Sequence, residues 1–505
     1  MPYPHRPRLF CGDLPTRPAP DLGPVLVTGA SGYIGGRLVP ELLERGYRVR
    51  VMVRSYNRSY SERWPHAEIV VGDALNKDDL LRAMDGMNVL YYLMHSLLQG
   101  PGKLRKLEIT VAENVRQAAG EKQVRRIIYL GGLGDTNDRL STHLQSRLDV
   151  ALELEKGPVP VTILRAAVII GSGSASFEII KNLVGRIPVV FLPNCAKTLC
   201  QPISIRDVIR YLVGCLENEE STGKEYDIGG SEILTYETMM KVVADILGKK
   251  RFFPRIPLSH SVFAFIAGFI TPVPAPITRS LLAGLDNEVV CRNQEIRQLI
   301  PFETVPFREA VQRAIKIEHD DEIPSRWSDS YPPSCDLVPR LHDLKKAPEY
   351  ISRHGMHTEK DVLDLFYSIC RIGGREGWFH NNWMWRLRGE IDSLLQGVGM
   401  ARGRRSQNEL RENDVIDFFR VEKLEKPHLL LLRAEMKLPG LAWLEFTVTP
   451  FNEHQKYLAV TAYFEPRGFA GKLYWFFFLP FHYLIFTRLI KAIERRSRVV
   501  ERVSG

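Results

Sequence analysis

The sequence predicts an α/β fold, a doubly wound parallel sheet with a small second lobe, followed by a separate α+β domain. Three observations predict it. Short apolar strands alternate with amphipathic helices from residue 23 to about residue 165. A proline- and charge-rich stretch at 318–348 then interrupts the chain. Beyond it the pattern changes to alternating strands and closes on a long aromatic helix.

Residues 1–22 are proline-rich and lack an apolar leader, so they read as a loose tail. Residues 23–28 (GPVLVT) form a short apolar strand, followed by a glycine-rich turn and a helix through Leu38, Leu42 and Leu43 that Gly46 ends. Further strands are expected at 47–53, 68–71, 89–93, 126–130 and 161–164, separated by helices at 80–84, 104–119 and 144–154. After residue 165 the pattern loosens, where a substrate-facing lobe would be grafted onto the sheet. The expected division is one domain at 23–317, a linker at 318–348 and a second domain at 349–505. In the latter, 359–398 reads as mainly helical. Residues 414–423, 428–437, 442–449 and 457–464 read as antiparallel strands, with a tight turn at Pro439-Gly440.

The 505 residues are 45% hydrophobic and 25% charged, the balance of a globular chain, and the net charge of +9 is modest. The seven cysteines are scattered, which indicates neither a metal site nor a disulfide framework and suits a reducing cytoplasm. No helix combines basic with base-stacking residues, so nucleic acid is not an expected partner. Arg402, Arg404 and Arg405 read as a solvated loop. Residues 261–270 are apolar but short. Residues 473–490 reach spanning length only if Pro480, His482 and Arg488 enter the bilayer, so a buried or interfacial helix is expected there. The end of the chain is basic, with Arg488, Lys491, Arg495, Arg496, Arg498 and Arg502 against only Glu494 and Glu501. That pattern reads as a solvated face, or as a peripheral contact with the inner face of a membrane. The oligomeric state stays open.

The turn after the first strand carries the chemistry. It reads Gly29-Ala30-Ser31-Gly32-Tyr33-Ile34-Gly35, between an apolar strand and a helix. Glycines at this spacing permit the tight turn, the approach of a pyrophosphate to the backbone and close helix–strand packing. The helix N-terminus then offers its amides to the phosphates. Cofactor choice is read at the end of the second strand, where an acid would hold the ribose hydroxyls of NAD. This chain has Arg54 there and Arg58 after it. Guanidinium groups suit a 2′-phosphate, so NADP is expected over NAD. Asp73 and Ala74, after the third strand, are expected beside the adenine. Met94 and His95, after the fourth, are expected beside the nicotinamide.

With these residues in place, the chain resembles the short-chain dehydrogenase/reductases (SDRs) of extended or atypical type. The resemblance rests on TGASGYIG (residues 28–35), Gly72-Asp73, RIIYLGG (126–132), QPISIRDV (201–208) and YDIGG (226–230). It covers residues 23–317 and is nearest to bacterial NAD(P)-binding proteins with a C-terminal domain of unknown function. Those resemble the NmrA-like proteins and the NADPH-binding accessory subunit of respiratory complex I. Residues 374–497 look like that second domain. WLEFTV (443–448), FEPRGFAGKLYW (464–475) and LPFHYLIF (479–486) further resemble polyketide-cyclase-like proteins of helix-grip fold, which enclose apolar ligands. Trp378, Phe379, Trp383, Trp385, Trp443, Tyr474, Trp475 and residues 476–478 are aromatic, and such clusters are usually core.

The resemblance implies a Tyr-x-x-x-Lys pair and a serine at the end of the preceding strand. This chain has Gly131 or Gly132 at the serine position, and His143 and Arg147 at the pair. The spacing of one helical turn is kept but both chemical types are changed. In one reading His143 moves the proton and Arg147 grips the ribose. In the other the proton machinery is gone and the pair only binds cofactor or caps the pocket. Ser141 and Ser146 are nearby hydroxyls. The leading expectation is an NADP(H)-dependent oxidoreductase acting on an apolar, quinone- or lipid-like molecule. The alternatives are a catalytically silent NADP(H)-bound sensor or assembly factor, and a nucleotide-sugar epimerase or dehydratase.

Overall fold

The computed structural model describes residues 9–95, 101–134, 140–256, 259–320, 323–330, 339–380, 382–395, 397–400, 402, 404–407 and 409–497. The chain divides into two compact units, Met1–Ile270 with Ala275–Ser334, and Thr271–Pro274 with Cys335–Gly505.

In the first unit seven parallel strands form one sheet: β1 (Val25–Thr28), β2 (Val49–Val53), β3 (Glu68–Val71), β4 (Val89–Tyr92), β5 (Arg126–Gly132), β6 (Val161–Ala166) and β7 (Glu225–Ile228). Their order is β7-β6-β5-β4-β1-β2-β3, so the direction of winding reverses between β1 and β4. Ligands of such sheets sit at that switch point, beyond the carboxyl ends of the strands. Alternate side chains go to opposite cores. Val25, Val27, Val51 and Tyr91 lie in one, and Leu26, Met52, Leu90 and Tyr92 in the other. Both faces are covered, which is why these strands read as continuous apolar runs. The covering helices include α1 (Gly35–Glu44), α2 (Pro101–Glu121) and α3 (Thr142–Glu155). The parallel, doubly wound sheet is the one the sequence predicts. The seventh strand was not expected, although YDIGG marks it. Its Asp227 pairs with Arg165 of β6 (2.6 Å), and Gln201 donates to the Gly230 carbonyl (2.7 Å). Both motifs tie the small lobe to the sheet edge.

Two segments expected to be loose are built into this unit. Glu41 of α1 is buried, and a buried carboxylate needs donors. The amides of Phe10 and Cys11 supply them, so residues from 9 onward pack on the domain rather than trailing as a tail. The expected linker begins inside a helix, Phe307–His319, and residues 323–330 fold back toward the glycine turn. Arg37 of α1 donates to the Ser325 carbonyl (2.9 Å) and the Ser172 carbonyl (2.7 Å), and the Ser325 hydroxyl donates to the Tyr33 carbonyl (2.7 Å). The Trp327 amide donates to the Gly173 carbonyl (2.9 Å). Proline and charge density signalled irregular backbone there, not solvation.

The second unit holds a six-stranded antiparallel sheet made of β8 (Tyr350–Thr358), β9 (Val415–Ile416), β10 (Phe419–Glu425), β11 (Leu429–Ala434), β12 (Gly440–Pro450) and β13 (Lys456–Pro466). The order is β8-β13-β12-β11-β10-β9, so the first strand joins the last, with Tyr350 opposite Phe464 and Thr358 opposite Lys456. The expected strand at 414–423 is split because Asp417 turns through φ +52°. Gly440 is the first residue of β12, opposite Pro466, rather than part of a two-residue turn; residues 435–439 make the connection. Among the described residues three α-helices complete this unit: α4 (Val362–Ile369), α5 (Asn382–Leu394) and α6 (Gly468–Arg496). The last packs on β8 and β13, with Trp475 stacked on Tyr350 (5.4 Å) and Phe464 (5.7 Å).

The basic run at 402–405 is a correction. Arg402, Arg404 and Arg405 are buried. Arg402 and Arg420 clamp Glu435 at 2.7 and 2.6 Å, Arg405 pairs with Asp414 (2.9 Å), and Arg404 donates to the carbonyls of Cys370 and Ile372 (2.7 Å each). Burial would raise the Glu435 pKa, but the guanidinium groups of Arg420 and Arg402 overcome it and hold it down at about 2. The aromatics divide. Trp378, Trp443 and Trp475 are core, whereas Trp383, Phe476 and Phe477 are exposed.

Candidate active site and its glycine turn

β1 ends at Thr28, whose hydroxyl donates to the Tyr91 carbonyl of β4 (2.8 Å) and ties the two strands at the switch point. The chain then turns at Gly29, with φ +75°, a region that disfavours side chains. A Cβ there would also stand 2.6 Å from the Leu93 carbonyl, and one at Gly35 would stand 2.6 Å from the Ala30 Cα. The Gly32 amide closes the turn on the Gly29 carbonyl (3.0 Å). Helix α1 starts with no side-chain cap at Ile34, so its first-turn amides lack the usual side-chain acceptor. A helix opening like this suits a pyrophosphate.

The residues expected around that turn fall into place unevenly. Arg54 is exposed at the end of β2, and Arg58 is exposed with Glu62 3.7 Å away. The Gly72 amide donates to the Val53 carbonyl (3.0 Å), which keeps the ends of β2 and β3 together. Asp73 accepts from the Leu75 amide (3.0 Å), so its carboxylate shapes a local turn. Ala74 is buried in the core, with Met94 packed against the same cluster.

The second half of the site lies at the ends of β4 and β5. His95 follows β4, α2 carries Glu108, and α3 carries His143, Ser146 and Arg147. Glu108 is the common partner of His95, Ser146 and Arg147. It accepts from Arg147 Nη2 (2.6 Å) and the Ser146 hydroxyl, and His95 Nδ1 lies 3.1 Å from it. The rings of His95 and His143 are 5.0 Å apart. Arg147 and Glu108 are each 6% exposed. Ser141 caps α3 by accepting from the Leu144 amide (3.3 Å). At Gly132 a Cβ would press on Leu144 (3.0 Å) and Arg147 (3.3 Å), so a serine would not fit unless they moved.

The electrostatics follow from burial around one ion pair. Burial would raise the Glu108 carboxyl pKa. The Arg147 guanidinium, with the His95 and Ser146 hydrogen bonds, outweighs it and holds Glu108 ionised far below the usual carboxylate range. Burial and the nearby Arg147 lower the His95 pKa against the pull of Glu108. Burial, His95 and Arg147 push His143 well down. Both shifts favour the neutral imidazole. A carboxylate on Nδ1 fixes the tautomer of His95, leaving Nε2 with a lone pair. Among the described residues Arg147 Nε is buried without a hydrogen-bond partner, a donor that a ribose hydroxyl would satisfy. The uncapped helix, the positive-φ glycine and this donor together fit a dinucleotide laid across the switch point.

Glu108 was missed from the sequence, though a signal exists. It shares one helical stripe with Ala112, Val115 and Ala119, all buried. An acid on an apolar stripe needs a buried partner, and Arg147 was already in view.

Residues 29–167 match the family described as NAD(P)H-binding. They form an NAD(P)-binding domain of the Rossmann, SDR-like kind. Residues 346–489 match a family of unknown function, DUF2867. Among curated proteins, the divinyl chlorophyllide a 8-vinyl-reductase of Zea mays is 24% identical over 250 residues, which is 46% of this chain and 62% of that protein. The chain thus spans about three-fifths of that relative's length. A 3-beta-hydroxysteroid dehydrogenase of Mycolicibacterium neoaurum is 43% identical over 74 residues, 14% of this chain and 19% of that one. Among solved structures, the triphenylmethane reductase of Citrobacter sp. complexed with NADP(H) aligns at a TM-score of 0.47 with 22% identity, covering 57% of this chain and 99% of its own. The NAD(P)-binding domain therefore includes both the glycine turn and the Glu108 cluster.

Proposed function

We propose that the protein is an NADP(H)-dependent oxidoreductase that reduces an apolar small molecule, quinone- or lipid-like. The observation that carries this is the Glu108–His95 pair beside His143 and Arg147, at the end of the strands where a nicotinamide would lie. When bound, the reduced nicotinamide supplies a hydride. The chain's own part is to place a proton on the accepting group. Glu108 holds Nδ1 of His95, so Nε2 takes up a proton from solvent, forms an imidazolium beside the ionised carboxylate, and returns to the neutral ring when it gives that proton to the accepting group; His143 is the neighbouring ring. Arg147 keeps its charge on Glu108 and offers Nε to the ribose. Relative to the first expectation, His95 takes the acid–base role and His143 assists. Arg54 and Arg58 support the phosphorylated cofactor.

The second reading, a silent NADP(H)-bound sensor, is favoured by one observation: Arg147 is engaged by Glu108 instead of standing free beside a tyrosine. A single set of measurements separates the two. The full chain is titrated with NADPH and NADH and assayed for hydride transfer to a panel of quinones, enones and aldehydes. The enzyme reading expects turnover that falls at least a hundredfold in His95→Gln with NADPH affinity retained. Tight NADPH binding with no turnover on any acceptor would establish the sensor.

A further inference from the structure

The second unit carries an apolar face that its own core does not use. On α6 the side toward the sheet is buried, with Trp475, Phe486, Leu489, Ile490 and Ile493 at 5% exposure or less. The other side is bare. Phe469 is 81% exposed, Leu473 62%, Phe476 59%, Phe477 64% and Tyr483 68%. At about 100° per residue these positions fall on one side of the helix. The same side continues past residue 484, but there its exposed residues are Arg488, Lys491 and Arg495. The helix is therefore split by side into buried and bare, and the bare side is split by length into aromatic and basic.

A second helix of this unit carries a bare apolar stripe of its own. On α5 the residues Trp383 (65%), Leu387 (48%), Ile391 (43%) and Leu394 (60%) are exposed at helical spacing. Soluble proteins rarely leave an apolar surface of this extent bare unless something covers it.

We propose that the bare faces of α6 and α5 dock in the plane of an anionic lipid bilayer. Charge complementarity selects the occupant. An aromatic stripe continued by three exposed cations suits acyl chains bounded by anionic headgroups, where rings sit at the interface and Lys/Arg meet phosphates. The helix is 29 residues long and apolar enough to cross a membrane by composition. Its buried side argues against crossing, because spanning would strip Trp475 and Phe486 from the sheet. The bare apolar stretch from Phe469 to Leu484 is about 22 Å long at 1.5 Å per residue, short of the roughly 30 Å hydrocarbon core. Both facts place the helix along the surface. The inference concerns the second unit alone and does not depend on the hydride-transfer reading.

The test is flotation of the full-length protein with vesicles of phosphatidylglycerol and phosphatidylcholine, or of phosphatidylcholine alone. Trp383 fluorescence is read in parallel, with Trp383→Phe as control. The protein is expected to float with the anionic vesicles, with a blue shift absent from the control. The triple variant Leu473→Ser, Phe476→Ser, Phe477→Ser should lose at least tenfold in vesicle affinity while far-UV circular dichroism and NADPH binding are unchanged. Arg488→Gln with Lys491→Gln should lose on the order of fivefold per residue for anionic vesicles only. The proposal is overturned if the wild type stays unbound with both vesicles. It is also overturned if light scattering without lipid shows a dimer that the triple variant breaks, since a second copy would then cover the face. Association released from membranes by detergent but not by salt or carbonate would overturn the in-plane placement.

Discussion

Glu108 makes one ion pair serve several groups at once, and its removal is the sharpest test at the scale of a residue. Glu108→Gln would leave the Arg147 guanidinium buried beside a neutral amide, a change that costs about 3–5 kcal/mol. Its pH signature has a definite sign. The Glu108 pKa is lowered in the fold, so its contribution is complete above the unfolded carboxylate value of about 4.3 and is lost as pH falls below it. The pKa values of His95 and His143 are lowered too, so both favour the fold when neutral, and that contribution is lost as pH falls below the unfolded value of about 6.5. Melting of the NAD(P)-binding unit, followed between pH 8 and pH 3, should therefore fall in two steps. His143→Gln is expected to flatten the step near neutrality, and Glu108→Gln the acidic one. An unchanged profile in both variants would mean that the cluster is solvated. His143 and Arg147 were legible because a known spacing marks them. Glu108 was not, because its role depends on α2 crossing α3, which no local pattern encodes.

Elements expected to be loose are held by buried charges, and this is testable one strut at a time. Arg37 of α1 holds residues 323–330 over the glycine turn through Ser325. Arg37→Ala should cost about 2–3 kcal/mol, since it removes charge-assisted hydrogen bonds and leaves buried carbonyls unpaired. Limited proteolysis should then cut near residues 320–330 at a faster rate, and NADPH affinity should fall as α1 loosens. In the second unit, Glu435→Gln leaves Arg402 and Arg420 buried with weakened pairing. About 3 kcal/mol of lost stability is expected, with loss of near-UV circular dichroism from Trp378, whose indole donates to Asp417 (3.0 Å) beside this network. Strands β1 to β6 and their helices were legible because a sheet buried on both faces gives unbroken apolar runs. β8 was not legible. Tyr350–Thr358 reads YISRHGMHT, a polar edge strand whose pairing with β13 is decided across more than ninety residues of chain.

For the whole molecule, two units carry two separable properties: a dinucleotide site in the first and a bare apolar face in the second. Cofactor preference tests the first. Arg54→Ala should weaken NADPH binding about tenfold and leave NADH nearly unchanged, as read by fluorescence titration, since a single exposed charge on a phosphate contributes roughly 1–2 kcal/mol. Equal losses for both cofactors would place the 2′-phosphate elsewhere. The preference should also shrink with added salt, because exposed charges are screened.

By itself the sequence determined the parallel sheet, the glycine turn and the presence of a second antiparallel domain. Each is written in local periodicity and in glycines that a tight backbone demands. Tertiary structure alone decided where the buried charges go. It turned a run of arginines expected in solvent into the interior struts of a sheet, and it gave Arg147 a carboxylate partner shared with His95. It also left the aromatic face of α6 outside the core. The physical reason is the same in each case. Periodicity reports which side of an element is apolar, but whether a charge is paired or a face is covered depends on elements distant in the chain.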